Sequence, residues 1–154
     1  MGVEFIYRST ILKPVAIQGK GLHTGREISM KLLPASVNTG ILIRNTELNE
    51  QIPVRLENVK STKLATTVGF QRAEVHTIEH FMAACSAWGI DDLIIEVDGP
   101  EFPIMDGSSS AFVFLLERAG RKQFNGVPRE YLRIKKEVIM QLGKSYMEFS
   151  PSIK

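Results

Sequence analysis

The chain has 154 residues, of which 44% are hydrophobic and 23% are charged, and its formal net charge is +2. These values are ordinary for one globular domain with its own core, and so small a charge gives no ground for nucleic-acid binding. The single cysteine, Cys85, excludes an internal disulfide and lies where a core residue is expected. No apolar run reaches the length of a transmembrane segment, and residues 1–9 lack the apolar core of a signal peptide, so we predict a cytoplasmic protein.

The first half of the sequence predicts short strands separated by turns. Residues 9–18 favour one strand, in which Pro14 would mark an edge or a bulge. Three glycines within residues 19–25 indicate a tight backbone path, but no Lys-Ser/Thr pair follows as in a Walker-type phosphate loop. Residues 27–33 alternate apolar and polar side chains, which is typical of a half-buried strand. Further extended segments are predicted at residues 40–44 and 52–56.

Residues 76–89 contain the clearest helix signal of the sequence. Gly89 ends the helical pattern, and Thr77 is the predicted N-cap, because its hydroxyl can accept a bond from an amide of the first turn. Glu79 and His80 would then lie in that turn, where the helix dipole stabilises a carboxylate and favours the neutral imidazole that binds metals. The apolar stripe of the helix comprises Ile78, Phe81, Met82, Cys85 and Trp88.

Polar and apolar segments flank this helix. Residues 58–70 are rich in Lys, Ser and Thr, which predicts a small β-hairpin or a mobile flap, although their polarity alone fits a surface loop. Residues 92–97 form a nearly continuous apolar strand, so a strand–helix–strand unit is expected around Glu79 and His80.

The last third of the sequence predicts a second helix and a hairpin. The helix would be capped by Ser108 or Ser109 and ended by Gly120. Residues 121–129 have the composition of a basic linker. Strands are predicted at residues 131–140 and 145–149, and because two strands alone are marginally stable in water, we interpret them as the opening of a further domain.

His76, Glu79 and His80 spell H-x-x-E-H, the inverted zinc-protease signature. That chemistry requires both histidines on one helix face, whereas a cap at Thr77 would leave His76 outside the helix. A zinc peptidase is therefore the weaker interpretation of this motif. A capped helix with a solvated Glu79 and a hydrogen-bonded His80 is the structural alternative.

Three motifs in order carry a family resemblance: residues 19–25 (G-K-G-L-H-T-G), residues 77–80 (T-I-E-H) and residues 103–108 (P-I-M-D-G-S). Together they resemble UDP-3-O-acyl-N-acetylglucosamine deacetylases, the zinc enzymes of the committed step of lipid A biosynthesis in Gram-negative bacteria. The similarity covers nearly the whole chain, because it also takes in residues 38–40, 89–92, 95–97 and 132–135.

The resemblance implies an α+β fold in which two helices pack on a mixed β-sheet, a layer architecture like that of ribosomal S5 domain 2. Residues 1–126 would form the N-terminal domain, and residues 127–154 a linker and the first hairpin of a missing second domain. Glu79 matches the general base, His80 a zinc ligand and His23 a neighbour of the site. Asp106 matches a structural turn near the site. The substrate-cleft border is implied for Lys63, Thr66, Thr67 and Phe70.

The resemblance also implies ligands that this sequence lacks. The other two zinc ligands, a histidine and an aspartate, belong to the second domain, and no histidine follows His80 here. We therefore expect an N-terminal portion, inactive alone, whose partners are the UDP-sugar substrate and a second domain or complementary chain. The alternative is a non-catalytic module that binds the nucleotide sugar or pairs with a separate second half.

Overall fold

The computed structural model describes residues 7–152, which form a mixed α+β arrangement, as predicted. The helices are α1 (Glu79–Trp88) and α2 (Ser110–Ala119), and a short 3-10 turn covers Leu56–Asn58. The strands are β1 (Tyr7–Ile11), β2 (Val15–Lys20), β3 (Glu27–Pro34), β4 (Ile41–Asn45), β5 (Glu50–Pro53), β6 (Val59–Ser61), β7 (Thr67–Phe70), β8 (Ala73–Val75), β9 (Leu93–Val97), β10 (Arg121–Pro128), β11 (Val138–Leu142) and β12 (Ser145–Phe149).

The central sheet has five strands in the order β2-β3-β9-β4-β5. Strands β4 and β9 are parallel and the other neighbours are antiparallel, so the sheet is mixed. The alternation predicted for residues 27–33 is confirmed, because Ile28, Met30 and Leu32 are buried while Glu27 and Lys31 are exposed. One face of the sheet therefore carries the core.

The helices complete that core through an aromatic cluster. Phe81 of α1 meets Phe102 and Phe112 edge to face, with ring centroids 5.6 and 5.4 Å apart. Such edge-to-face contacts are favoured by the charge distribution of aromatic rings. Gly89 ends α1 at a φ of 70°, a left-handed conformation that glycine adopts without strain, so the predicted end of this helix is confirmed.

The predicted N-cap at Thr77 is wrong. Helix α1 starts at Glu79, and Ile78 occupies the preceding position without a side-chain cap. Thr77 has a φ of 60°, is buried, and its hydroxyl has no hydrogen-bond partner within residues 7–152. Its left-handed backbone turns the chain between His76, which pairs with Glu101, and the helix. The expected strand–helix–strand order holds, but β8 and β9 belong to different sheets.

Two predictions at the ends of the domain are also wrong. Residues 9–18 form two strands in different sheets, separated where the amides of Leu12 and Lys13 bond to the carbonyls of Gly120 and Ala119. Residues 121–128, predicted as a linker, form strand β10 antiparallel to β1. A two-stranded ribbon leaves many side chains in solvent, so a basic, polar sequence can pair there. The boundary after residue 126 stays a prediction.

Residues 58–70 contain the predicted hairpin, in which β6 pairs with β7, and β8 adds a third strand. The last two strands also pair as predicted, although β11 begins at Val138 rather than at residue 131. The large apolar side chains of this second hairpin are exposed, namely Val138, Ile139, Met140, Leu142, Tyr146, Met147 and Phe149. Its assignment to a second domain stays a prediction, as does the finer layer architecture.

The part of the chain spanning residues 7–152 contains no helix with the length and apolarity needed to cross a membrane.

Candidate active site

Glu79 and His80 open α1 and are both half-buried. The Glu79 Oε2 atom accepts a hydrogen bond from the backbone N–H of Thr66 at 2.9 Å. Amides at a helix N-terminus favour a carboxylate in the first turn. The position of Glu79 and His80 therefore agrees with the sequence analysis, although the residue that precedes the helix does not supply the expected cap.

His76 is held away from the helix. It forms a β-bridge with Glu101, and its Nδ1 lies 2.7 Å from the Thr67 hydroxyl. Because His76 lies before α1 and His80 lies on it, the two imidazoles do not share a helix face. The inverted zinc-protease arrangement is therefore not formed.

The loop that contains His23 is fixed by a glutamate that the sequence analysis missed. Glu101 is fully buried, and its carboxylate accepts the backbone N–H groups of His23 at 3.1 Å and Thr24 at 3.2 Å. Within the loop, Gly25 donates its N–H to the Gly21 carbonyl at 3.1 Å and has a φ of 66°. One signal was present in the sequence, because a lone glutamate in the apolar, proline-flanked G-P-E-F-P stretch indicates a buried charge.

Some of the predicted cleft residues meet His23 in one cavity of about 250 Å³. Thr66 instead contacts Glu79 through its amide, and Phe70 is exposed at the far end of β7. A wider depression of about 540 Å³ lies along β2, β3 and β9 and contains none of the predicted site residues. The smaller cavity is lined by His23, Thr24, Lys63, Leu64, Ala65, Thr67, His76 and Glu101.

Asp106 lies in the turn before α2. Its Oδ1 accepts the N–H of Ser108 at 3.0 Å and the hydroxyl of Ser108 at 2.9 Å. The backbone bond, followed by the hydroxyl bond, lowers the pKa of the Asp106 carboxyl below its usual value. The Ser108 hydroxyl in turn accepts the N–H of Ser110, the first residue of α2. These bonds give Asp106 a local role in starting the helix.

Cys85 lies on the inner side of α1 and is 1% exposed. Burial raises the pKa of its thiol well above the ordinary value. A protonated, enclosed thiol is a poor nucleophile and a poor metal ligand. Cys85 therefore has the surroundings of a core residue.

Zinc fits these residues only in part. A catalytic zinc takes three protein ligands and keeps a position open for water or substrate. Within residues 7–152, no three side chains of His, Cys, Asp or Glu converge closely enough to hold a metal ion. His80 can supply one ligand, with the Glu79 carboxylate beside it. The described residues therefore do not form a complete zinc site by themselves.

Comparison with known proteins finds one matching family and relatives that carry the same name. The family model for LpxC, UDP-3-O-acyl N-acetylglycosamine deacetylase, matches residues 8–154. Three curated relatives are named UDP-3-O-acyl-N-acetylglucosamine deacetylase. The relative from Syntrophotalea carbinolica is 46% identical over 149 residues, which is 96% of this chain and 48% of the relative. The relative from Shewanella sp. (strain ANA-3) is 43% identical over 149 residues, 95% of this chain and 48% of the relative.

The third relative, from Sulfurimonas denitrificans, is 42% identical over 147 residues, which is 96% of this chain and 50% of the relative. The chain thus spans about half the length of the curated relatives that it matches.

Proposed function

Because this chain belongs to the UDP-3-O-acyl N-acetylglycosamine deacetylase family, we propose that it supplies the Glu79 and His80 part of a zinc-dependent deacetylase site. The substrate would be UDP-3-O-acyl-N-acetylglucosamine, whose acetamide is hydrolysed to acetate and the free amine. By family resemblance this is the committed step of lipid A biosynthesis. The observation that carries the proposal is the placement of an oriented carboxylate, Glu79, directly beside His80 at the start of α1.

Glu79 is the proposed general base. Its Oε2 is held by the Thr66 amide, and its Oε1 has no hydrogen-bond partner among the described residues. A carboxylate fixed through one oxygen keeps the other available to take a proton from the attacking water. The same group can return that proton to the leaving nitrogen, which is how one residue serves as base and then as acid.

His80 is the proposed zinc ligand from this chain. When bound, zinc lowers the pKa of water and polarises the carbonyl under attack. We propose that the remaining histidine and aspartate ligands come from a second domain or a complementary chain, because within residues 7–152 no three His, Cys, Asp or Glu side chains are close enough to hold a metal ion. A cytoplasmic location stays a prediction.

The cavity beside His23 is the proposed border of the substrate cleft. Lys63 and Thr67 line it together with His23, and these groups offer a cation and hydrogen-bonding atoms to a polar substrate. Thr66 belongs to the same border through the amide that orients Glu79. Phe70 is the least supported member, because it is exposed at the opposite end of β7. Asp106 is proposed to stabilise the turn before α2.

The test measures acetate release from UDP-3-O-acyl-N-acetylglucosamine in the presence of zinc. The chain is assayed alone and with a second polypeptide, which carries the half of a curated relative that this chain does not span. We expect activity only in the mixture. The substitution Glu79→Gln should abolish it, whereas Glu74→Gln, which removes an exposed carboxylate on β8, should leave it unchanged.

An inactive mixture with both components folded and zinc supplied would reject the deacetylase proposal. The non-catalytic alternative predicts that the chain alone binds the nucleotide sugar. The incomplete metal-ligand set within residues 7–152 is the observation that favours this second candidate. Calorimetric titration of the chain with the UDP-sugar tests this alternative, which requires binding by the chain alone together with an inactive mixture; a chain that does not bind the UDP-sugar would reject it.

A further inference from the structure

Two carboxylates of the described chain are completely buried, and their surroundings differ. Asp92 is paired with Arg8, whereas Glu101 has no salt bridge within residues 7–152. A buried charge without an ion pair must be stabilised by hydrogen bonds. For Glu101 these come from consecutive backbone amides of the loop at residues 21–25, through His23 to Oε1 and Thr24 to Oε2.

The backbone at Glu101 is anchored to the other histidine of the cavity. The His76 N–H donates to the Pro100 carbonyl at 2.9 Å, and the Phe102 N–H donates to the His76 carbonyl at 3.0 Å. Glu101 is therefore bridged to His76 through the main chain of its two neighbours, and it is bonded to the His23 loop through its own side chain. This one residue sets how the two sides of the 250 Å³ cavity face each other.

Gly21 leaves the space that the carboxylate occupies. A Cβ atom at Gly21 would lie 2.3 Å from Glu101 Oε1 and 2.5 Å from Thr24 Oγ1. Both distances are shorter than real Cβ contacts, so any larger residue must displace the carboxylate or the loop. The absence of a side chain at Gly21 is thus required for the close approach of the Glu101 carboxylate, which lies 80 positions away in the sequence.

We propose that Glu101 is a positioning residue of the deacetylase, holding His23 at the edge of the substrate cleft through the two backbone amides. The inference rests on the proposed function, in which His23 borders the site. The His23 side chain is exposed, so the backbone of its loop is what fixes its location. A displacement of about 1 Å in a group that contacts substrate can lower a rate by about 100-fold.

The test is a double-mutant cycle in the zinc-loaded mixture of this chain and the complementary half. The variant Glu101→Gln keeps the size of the side chain but sets an amide donor against a backbone N–H, which leaves one donor unpaired. We expect kcat/KM to fall by about tenfold in Glu101→Gln and in His23→Ala. In the double variant the two losses should not multiply, because displacing the loop no longer matters once the imidazole is absent.

Two results would overturn the inference. One is a Glu101→Gln variant whose kcat/KM stays within about twofold of the unsubstituted protein. The other is a double variant whose loss equals the product of the single losses, which indicates a general structural role. If the unsubstituted mixture is inactive, it is the proposed function that fails, and this result is distinct from either of them.

A second variant and a second measurement cover the case in which Glu101→Gln does not fold. Gly21→Ala leaves the charge in place and fills the carboxylate's space, so it should reproduce the kcat/KM loss. Amide hydrogen exchange of the chain is independent of activity. In either variant the His23 and Thr24 amides should lose protection, while the Ile104 amide, bonded to the Lys20 carbonyl, keeps it. Unchanged protection at His23 and Thr24 would overturn the inference.

Discussion

The backbone N–H of Thr66 and the Oε2 atom of Glu79 are 2.9 Å apart, and their hydrogen bond joins the segment between β6 and β7 to the first turn of α1. The same Thr66 accepts a bond from the Ile78 amide through its carbonyl, at 3.4 Å. The polar segment at residues 58–70 is thus attached to the start of α1 through both the N–H and the carbonyl of Thr66. The orientation of the proposed base depends on the backbone of that segment.

Replacing Thr66 by proline removes the N–H that Glu79 accepts. A hydrogen bond to a charged acceptor contributes about 1.5–3 kcal/mol, so we expect kcat of the zinc-loaded mixture to fall by about tenfold or more. The comparison variant is Thr66→Ala, which changes the side chain and keeps the N–H. Steady-state kinetics should give a distinctly lower kcat for Thr66→Pro than for Thr66→Ala. Equal values in two folded variants would show that the amide does not orient the base.

Arg8 neutralises the buried carboxylate of Asp92 through two hydrogen bonds, Nε to Oδ2 at 3.0 Å and a terminal nitrogen to Oδ1 at 2.7 Å. Removing one partner of a buried pair costs about 3–5 kcal/mol, because the other charge stays buried and unpaired. Arg8→Ala should therefore lower the free energy of unfolding by about that amount in urea titrations. Arg8→Lys keeps the charge but cannot form the bidentate pair, so it should lower the free energy of unfolding by less than Arg8→Ala does.

Arg8 should stay charged at ordinary pH, so the contribution of the Arg8–Asp92 pair to the free energy of unfolding should not depend on pH there. The hydrogen bond with Asp92, followed by its charge, raises the pKa of Arg8 in the folded chain despite partial burial. Stability from a raised pKa is complete below the unfolded value and is lost only as pH rises through the folded value. Because Arg8 keeps its charge, the difference in free energy of unfolding between the Arg8 and Arg8→Ala chains should not fall through deprotonation of the arginine up to about pH 10. A difference that disappears between neutral pH and that limit would contradict the assigned pairing.

The sequence was sufficient for elements whose pattern is local. The alternation in β3 and the glycines that end both helices each lie within a few residues, and the structure has them where predicted. The apolar stripe predicted for α1 is found in part, because Phe81 and Cys85 are buried in the helix while Ala84, which the stripe did not include, is buried too. The family resemblance rested on short motifs in order and is confirmed over residues 8–154. Local signals were therefore reliable for type and approximate position.

The errors arose where the decisive partner is distant in sequence. Strand β10 was taken for a linker because its pairing with β1 lies more than 100 residues away, as in Ser9 with Gln123. Thr77 has a good capping side chain, but it follows the bridge of His76 to Glu101 and adopts a left-handed conformation in place of a cap. Glu101 was missed for the same reason, since its hydrogen bonds reach back to His23 and Thr24.

Asp106 gives a prediction for acid unfolding. Its pKa is lowered in the folded chain, so its contribution to stability is present above the unfolded value and is lost as pH falls through the folded value. In thermal unfolding, Asp106→Asn should lower the melting temperature at neutral pH, and this difference should shrink below about pH 4. Glu117→Gln removes an exposed carboxylate of α2 and leaves the turn intact, so its melting curve gives the control. A difference in melting temperature between the Asp106 and Asp106→Asn chains that stays constant as the pH falls would contradict the lowered pKa of Asp106.

Cys85 should be unreactive in the folded chain. It is 1% exposed, and burial raises the pKa of its thiol, so both access and the thiolate fraction are small. In a disulfide-exchange assay with an aromatic disulfide at about pH 8, the thiol should react slowly in buffer and quickly in denaturing urea. The matched control is Ala83→Cys in a Cys85→Ser background, which places a thiol on the exposed side of the same helix. Rapid labelling of Cys85 in the native chain would mean that α1 separates from the core in solution, and the Glu79 and His80 geometry would then have to be measured in the assembled enzyme.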